Sequence, residues 1–530
     1  MRSDRRAGGL AVGLFLLLSG HPAIRLSAQT IDTIVVINHN VFDKRDNFIS
    51  NLANALHITT RQAVIRRALL LERGQPYDSA RALESERALR GLDVFRDVRI
   101  DTTRVNGRFA LVVETADGWS TRPTFGFTSV GGGVTWEAGL VEQNLLGSAT
   151  TLAGIYRDTP DRTDLELLYR APRFFWRRDA LALGYQNLSD GHSAAWGYGL
   201  PYYQTSQPWA LVTDGEVTRA RILVYRDGLL VTQPQRRATI ARLRGGIALT
   251  AESRAYRRLW LGAQWRREDF DSAAAAPFPR TETGTVGLGI AVGHVRLIGV
   301  HDFDSFGRRE ELDLTQELSL GAWAAPRAWG YAGGHDGIGP EVKARVSTVW
   351  HGGFAVLGGE AHGVYRSGGL DSGLVKGNVT IAGLLLSPRQ TTVLHVEAGA
   401  LRHPVPGGEF DLWRDGVGPR LFGVHSFTGT RTVWGFVEQR IPLSEDWMDL
   451  IGVGIAPFVD YGGAWYRDYG TAVIADERAR LGGDVGLSLR VGPTRAIRGD
   501  VSELAVGYRF GAGTTGKRWA VTLRRAISLQ

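Results

Sequence analysis

The sequence predicts a mainly β chain, an antiparallel transmembrane β-barrel of about 16 strands preceded by one small α+β domain. Three observations carry that expectation. From about Trp119 to Gln530, apolar residues alternate at a period of two with small, polar or charged ones, as in half-buried strands. Glycine supplies 68 of 530 residues, whereas cysteine is absent. An export-type segment stands at the N-terminus.

That segment comes first in the chain. Arg2, Arg5 and Arg6 precede an apolar stretch from Ala7 to Gly20, and Ser27-Ala28 offer a small-residue cut before Gln29. The stretch is short, flanked by arginines and followed at once by polar sequence. This fits a signal peptide over 1–28 better than a buried helix. No cysteine follows it, so no lipid attachment is expected there.

Residues 29–117 read as a mixed α/β domain. Ile31 to Ile37 form a β-rich run. Thr60 is placed to cap a helix whose Ile65, Ala68 and Leu69 recur on one face, and Gly74 stops it. Asp78 is placed to cap a second helix with Ala82, Leu83, Leu89 and Leu92 inward and Gly91 near its end. Val98–Thr102 and Phe109–Thr115 close the unit as two strands around Asn106-Gly107. Phe42 to Leu56 receive no assignment.

In residues 118–530 the helical period vanishes. Leu165, Leu167 and Tyr169 alternate with Glu166 and Arg170, and Val286, Leu288, Ile290 and Val292 with Gly287, Gly289, Ala291 and Gly293. Leu312, Leu314, Leu318 and Leu320 oppose Glu311, Asp313, Thr315, Glu317 and Ser319 in what reads as one strand. Val485, Leu487, Leu489 and Val491 oppose Gly486, Ser488 and Arg490, and Leu504, Val506, Tyr508 and Phe510 oppose Glu503, Gly507 and Arg509. A soluble sandwich shares this period. The absence of any helical interlude and the export segment favour a membrane barrel, whose outer face meets lipid and whose closure leaves no unpaired edge. The 15 Trp and 15 Tyr suit interfacial girdles. At roughly 26 residues per strand and connection, about 16 strands fit.

Composition excludes several classes. Without thiols there is no disulfide scaffold, Cys-ligated metal or cysteine nucleophile. The formal charge of +8 is modest and no Lys/Arg block appears, so no nucleic-acid partner is expected. HExxH, GxSxG and Walker motifs are absent, and neither an enzyme nor a cofactor is expected. Gly287 to Gly293 has the wrong spacing for a dinucleotide loop and reads as strand glycines. His301-Asp302-Phe303-Asp304, near the turn-forming Gly307, reads as a polar loop or lumen edge rather than a cation site.

Several motifs resemble one family. Thr60 to Arg67, Gly74 and Leu89 to Val98 resemble a POTRA domain, with Arg66, Gly74, Gly91, Phe95 and Val98 on its motif. Asn144-Leu145-Leu146-Gly147 resembles an early-strand pattern, and Pro457 to Gly462 an F-x-D-x-G strand motif carried by Phe458, Asp460 and Gly462. Ser426-Phe427-Thr428-Gly429 with Glu438-Gln439-Arg440 resembles the end of an inward-folded loop and its next strand. Together these resemble the BamA/TamA superfamily of outer-membrane assembly and secretion proteins, with a POTRA domain and a surface-antigen-type barrel. Ungapped counting puts Pro419-Arg420-Leu421-Phe422 on the loop's V-R-G-F/Y tip, with Leu421 in place of glycine. A two-residue gap would instead put Gly423 on that glycine and Phe422 on the arginine.

The resemblance implies an outer-membrane location with the POTRA domain in the periplasm. The implied role is to insert or translocate client polypeptides, captured by the POTRA and admitted at the seam between first and last strands. Client polypeptides, outer-membrane lipid and accessory periplasmic proteins are the implied partners. A two-partner secretion transporter and a passive channel are the alternatives. Only one POTRA fits before the barrel, and the chain ends Leu529-Gln530 without an aromatic. Around Asp460, odd positions from Ile451 to Tyr461 should face lipid and even ones the lumen. Arg420 should then meet Asp460 as a wet, screened pair worth ~1 kcal/mol.

Overall fold

The computed structural model describes residues 29–41, 57–130, 133–174, 178–271, 280–307, 309–330, 336–366, 369–387, 389–447, 450–467, 477–494, 501–514 and 516–525. The expected signal segment, the unassigned Phe42–Leu56 stretch and the last five residues lie outside them.

The N-terminal domain holds β1 (Thr33–His39), α1 (Gln62–Ala68), α2 (Ser79–Arg90), β2 (Phe95–Val105) and β3 (Arg108–Asp117). Its sheet order is β1-β3-β2, with β1 parallel and β2 antiparallel to β3. Ile65, Ala68, Leu89 and Leu92 from the helical side bury against Val36, Ile100, Leu111 and Val113, so the 3.6 and 2.0 periods meet in one core. Asp78 caps α2 by accepting hydrogen bonds from Ala80 N and Arg81 N. Thr60 caps nothing. Arg61 occupies the N-cap of α1, while the Thr60 amide and hydroxyl both donate to buried Asp117. The threonine oxygen accepts from Asn144 Nδ2 instead of from a helix N–H.

The rest of the described chain forms a closed antiparallel barrel. Twenty strands make the ring among the described residues, rather than about 16. Many neighbours are joined by turns of two or four residues, as after Leu188 and Asp158, so each strand consumes less chain than expected. The first strand, Thr121–Val130, lies beside the last, Trp519–Arg525.

Period-two alternation sorts the two faces. Leu261, Leu288, Val346 and Val375 are 63%, 66%, 57% and 60% exposed on the outside, as a lipid-facing belt requires. The glycines of strand Thr281–His294 face inward beneath aromatic rings. A Cβ on Gly287, Gly289 or Gly293 would lie 2.4, 2.5 or 2.3 Å from Trp323, Trp260 or Tyr256. The glycine run is therefore a packing stripe.

One alternating stretch breaks in two. Arg309–Asp313 belongs to a separate two-stranded hairpin with Leu297–His301, whereas Gln316–Ala325 is a wall strand. Leu312 and Leu314 turn into a buried lumen cluster, while Leu318 and Leu320 face outward. The same periodicity runs through both segments, so the break at Leu314–Thr315 left no mark in the pattern.

The domain docks on one end of the barrel, called here the near end. Arg61 N donates to Gly147 O at 3.0 Å, and Asn144 Nδ2 donates to Thr60 Oγ1 at 2.9 Å. Gly147, at φ +72, approaches so closely that a Cβ would lie 2.6 Å from Thr59 O. Glu84 of α2 accepts from Thr205 N, Ser206 N and Ser206 Oγ on another near-end connection.

Candidate functional site: a loop held inside the lumen

Between strands Gln390–Arg402 and Arg431–Trp447, a long far-end connection folds back into the barrel. It starts and ends on a small ladder, Phe410–Asp411 with Thr428–Gly429. Beyond Gly418, at φ +82, Pro419 leads the chain down to Arg420.

The strands beneath the loop supply its partners. In Ile451–Trp465 the even residues from Gly452 to Gly462 are buried and face inward, while the odd ones from Ile451 to Tyr461 are half-buried or exposed. This brings Phe458 and Asp460 under the tip. Arg420 Nε and Nη2 donate to the two oxygens of Asp460 at 2.7 and 2.9 Å, and the Arg420 amide donates at 3.0 Å. Both guanidinium ends reach Glu438 Oε2 at 3.2 Å, and Nη1 also donates to Glu503. The ring of Phe458 lies 3.9 Å from the guanidinium carbon.

Arg420 and Asp460 therefore meet, but not as the screened pair expected. Each side chain is 1% exposed, and one guanidinium holds three carboxylates. The planar fork makes this arrangement achievable, since it directs several donors outward at fixed angles. Leu421, in the place of glycine, takes no left-handed φ. Its amide donates to Asp484 at 3.0 Å and its side chain packs on Phe458 and Ala505. The ring of Phe422 lies tilted against that of Phe427, their centroids 5.0 Å apart.

The domain residues singled out from sequence do not converge on a site. Phe95 and Val98 are core residues, Gly74 sits in a turn at φ +86, and Gly91 is a right-handed cap at φ −66. Arg66 donates to Ile34 O on the surface.

A second anchor at the far end escaped sequence reading. His425 lies between Asp161, 2.8 Å from Nε2, and Asp411, hydrogen bonded to Nδ1. Its ring stacks on Tyr225 at 3.6 Å, and Tyr225 itself donates to Asp161 at 2.6 Å. The four residues come from three far-end connections, so nothing in their spacing could signal the contact. Burial alone would pull the imidazole down. The two carboxylates outweigh it and hold its pKa above the ordinary 6.5. The clamp's contribution is thus complete below the unfolded value and is lost as pH rises through the raised folded value. Raising pH from 6 to 9 should speed tryptic cleavage of the loop at half-exposed Arg414, relative to a His425→Gln reference that shows no such rise. An equal response in both proteins would remove His425 from the account.

Beside the loop, a cavity of about 640 Å³ runs along the seam. Its lining includes Phe125 and Phe127 of the first strand, Leu523 and Arg525 of the last, and Arg420 and Phe422 of the loop. The last strand has seven described residues, Trp519–Arg525, paired to Ser502–Gly511. Arg525 reaches across the seam to Glu137.

No protein-family profile and no curated protein matches the chain. Among solved structures it is similar to BamA from Haemophilus ducreyi lacking POTRA domains 1–3, at 12% identity over 92% of this chain and 84% of that one, with a TM-score of 0.40. It is also similar to CdiB from Escherichia coli, at 11% identity over 94% and 76% of the two chains, TM-score 0.47. CdiB from Acinetobacter baumannii gives 11% over 94% and 73%, TM-score 0.43. At these scores the likeness is one of general architecture, and the function proposed below rests on this chain's own residues.

Proposed function

We propose that the chain is an outer-membrane factor that inserts or translocates client polypeptides, its N-terminal domain acting as a periplasmic POTRA and its seam admitting the client. The observation that carries the reading is the seam cavity, bounded at once by the first strand, the last strand and the arginine-locked loop. A polypeptide segment paired to the first strand would lie against Arg420 and Phe422, so the loop senses what enters. The domain's β2 leaves one strand edge beyond β3, and main-chain hydrogen bonds at such an edge tolerate varied client sequences. The motifs at Pro419–Phe422 and Phe458–Gly462 support the same reading through their resemblance to the BamA/TamA superfamily. No cofactor or nucleotide enters the mechanism.

Liposomes carrying the full chain test the proposal. Faster folding of an added unfolded barrel supports insertion, and passage of one dedicated polypeptide supports secretion. Ion conductance with neither activity refutes both. A chain lacking residues 29–117 should still fold, because the ring closes without the domain, and should lose client handling. Undiminished handling by that chain would remove the domain from the mechanism.

A further inference from the structure

A second insertion enters the lumen from the opposite end. The other near-end connections run from two to eight residues, four of them within the 2–5 usual for antiparallel neighbours. The one between strands Thr281–His294 and Gln316–Ala325 is instead the hairpin Leu297–His301 and Arg309–Asp313 with its intervening turn. Its apolar side is buried inside the barrel: Phe303, Leu312 and Leu314 are 3%, 4% and 1% exposed. Phe303 packs edge-on against Phe354 of the wall at 5.4 Å. Phe306 crosses to a different wall and lies on inward glycines, where a Cβ on Gly452 would come within 2.1 Å of it. A connection that only joined neighbouring strands would have no reason to reach strand Ile451–Trp465.

The two insertions hang from one side chain. Glu438 gives Oε2 to Arg420 of the far-end loop and Oε1 to Arg440 Nε at 2.6 Å. Arg440 in turn donates to Asp304 Oδ1 at 2.8 Å and to Phe303 O on the hairpin. At the hairpin's outer side, Arg90 of α2 lies 3.6 Å from Glu311, so the N-terminal domain also touches it.

We infer that the hairpin of Leu297–His301 and Arg309–Asp313, with Phe303 and Phe306 beside it, forms an autoinhibitory plug that closes the near end of the lumen, and that Glu438 couples its release to that of the far-end loop. The plug rests on the reading of the lumen as a passage, but its test needs no client. Strain on the domain bears on the hairpin through Glu311, and loss of the Arg440 contacts takes from Glu438 the partner that orients its carboxylate beneath Arg420. The two closures then open together rather than one at a time.

Planar-bilayer conductance of the full chain tests this. Leu297 and Asp313 are paired, so replacing residues 298–312 by Asn-Gly closes the ladder with a two-residue turn. Conductance should rise several-fold over the intact chain. Phe303→Ala with Phe306→Ala, in the full-length chain, should raise it in the same direction and decides the matter if the shortened chain does not fold. Wild-type conductance in a heat-modifiable, folded variant overturns the plug. Coupling has its own readout: Arg440→Ala, which removes the link between Glu438 and the hairpin without touching Arg420 itself, should speed tryptic cleavage of the far-end loop at Arg414. Unchanged cleavage alongside raised conductance overturns the coupling. Client insertion that persists or fails in these variants bears on the proposed function, not on the plug.

Discussion

Replacing Arg420 by alanine should lower the stability of the folded barrel by about 3–5 kcal/mol, since it strands buried carboxylates without their cation. Asp460, Glu438 and Glu503 all lose their shared donor, although Glu438 keeps Arg440 and Glu503 keeps Arg524. The readouts are the urea midpoint in micelles and the temperature at which the folded gel band disappears. Arg420→Lys should recover little, because an ammonium cannot make the two-oxygen contact to Asp460 while also reaching the other two acids. Asp460→Ala should cost less than Arg420→Ala, because the guanidinium keeps two carboxylates. The double variant should be no worse than Arg420→Ala alone. Strictly additive losses would mean that the contact does not stabilise the loop.

The second large effect is expected at Gly462, and its cause is backbone rather than charge. Its φ is +153, and a Cβ there would lie 2.4 Å from both Trp434 Cα and Val433 O on the neighbouring strand. Backbone in a hydrogen-bonded ladder cannot withdraw as a flexible side chain can. Gly462→Val should therefore cost about 1–3 kcal/mol or more, through forced separation of the strands that carry Glu438 and Asp460. Gly359→Ala is the control, since its Cβ would meet Lys376 O at an ordinary 3.6 Å. Equal, small losses at both positions would show that the Gly462 contact relaxes freely.

The contrast between these positions shows what the sequence could reveal. Alternation assigned Phe458, Asp460 and Gly462 to the lumen face, because a strand's period is two and the inward set follows once one face is apolar. It also set Glu503 opposite Leu504 and Val506. What it could not supply was convergence. Glu438, Asp460 and Glu503 lie 18, 40 and 83 residues from Arg420, and only the ladder registers bring them to one guanidinium. Burial was misjudged for the same reason. A lumen expected to be wet is filled at this level by the loop and the hairpin, neither of which alternation can separate from the wall. Leu312 and Leu314 continue the rhythm of Leu318 and Leu320 yet point into the barrel. The number of strands was underestimated because turn length is a local property that average spacing conceals. His425 was invisible outright, being joined to Asp161 across 264 residues.

The proposed polypeptide passage is tested most directly by photocrosslinking at the seam in living cells. A photoreactive residue at Phe125, on the first strand beside the cavity, should capture newly exported polypeptides. The same residue at Leu261, equally turned outward but on a wall strand away from the seam, should capture none. Capture at both positions alike, or at neither, would contradict a seam that admits clients.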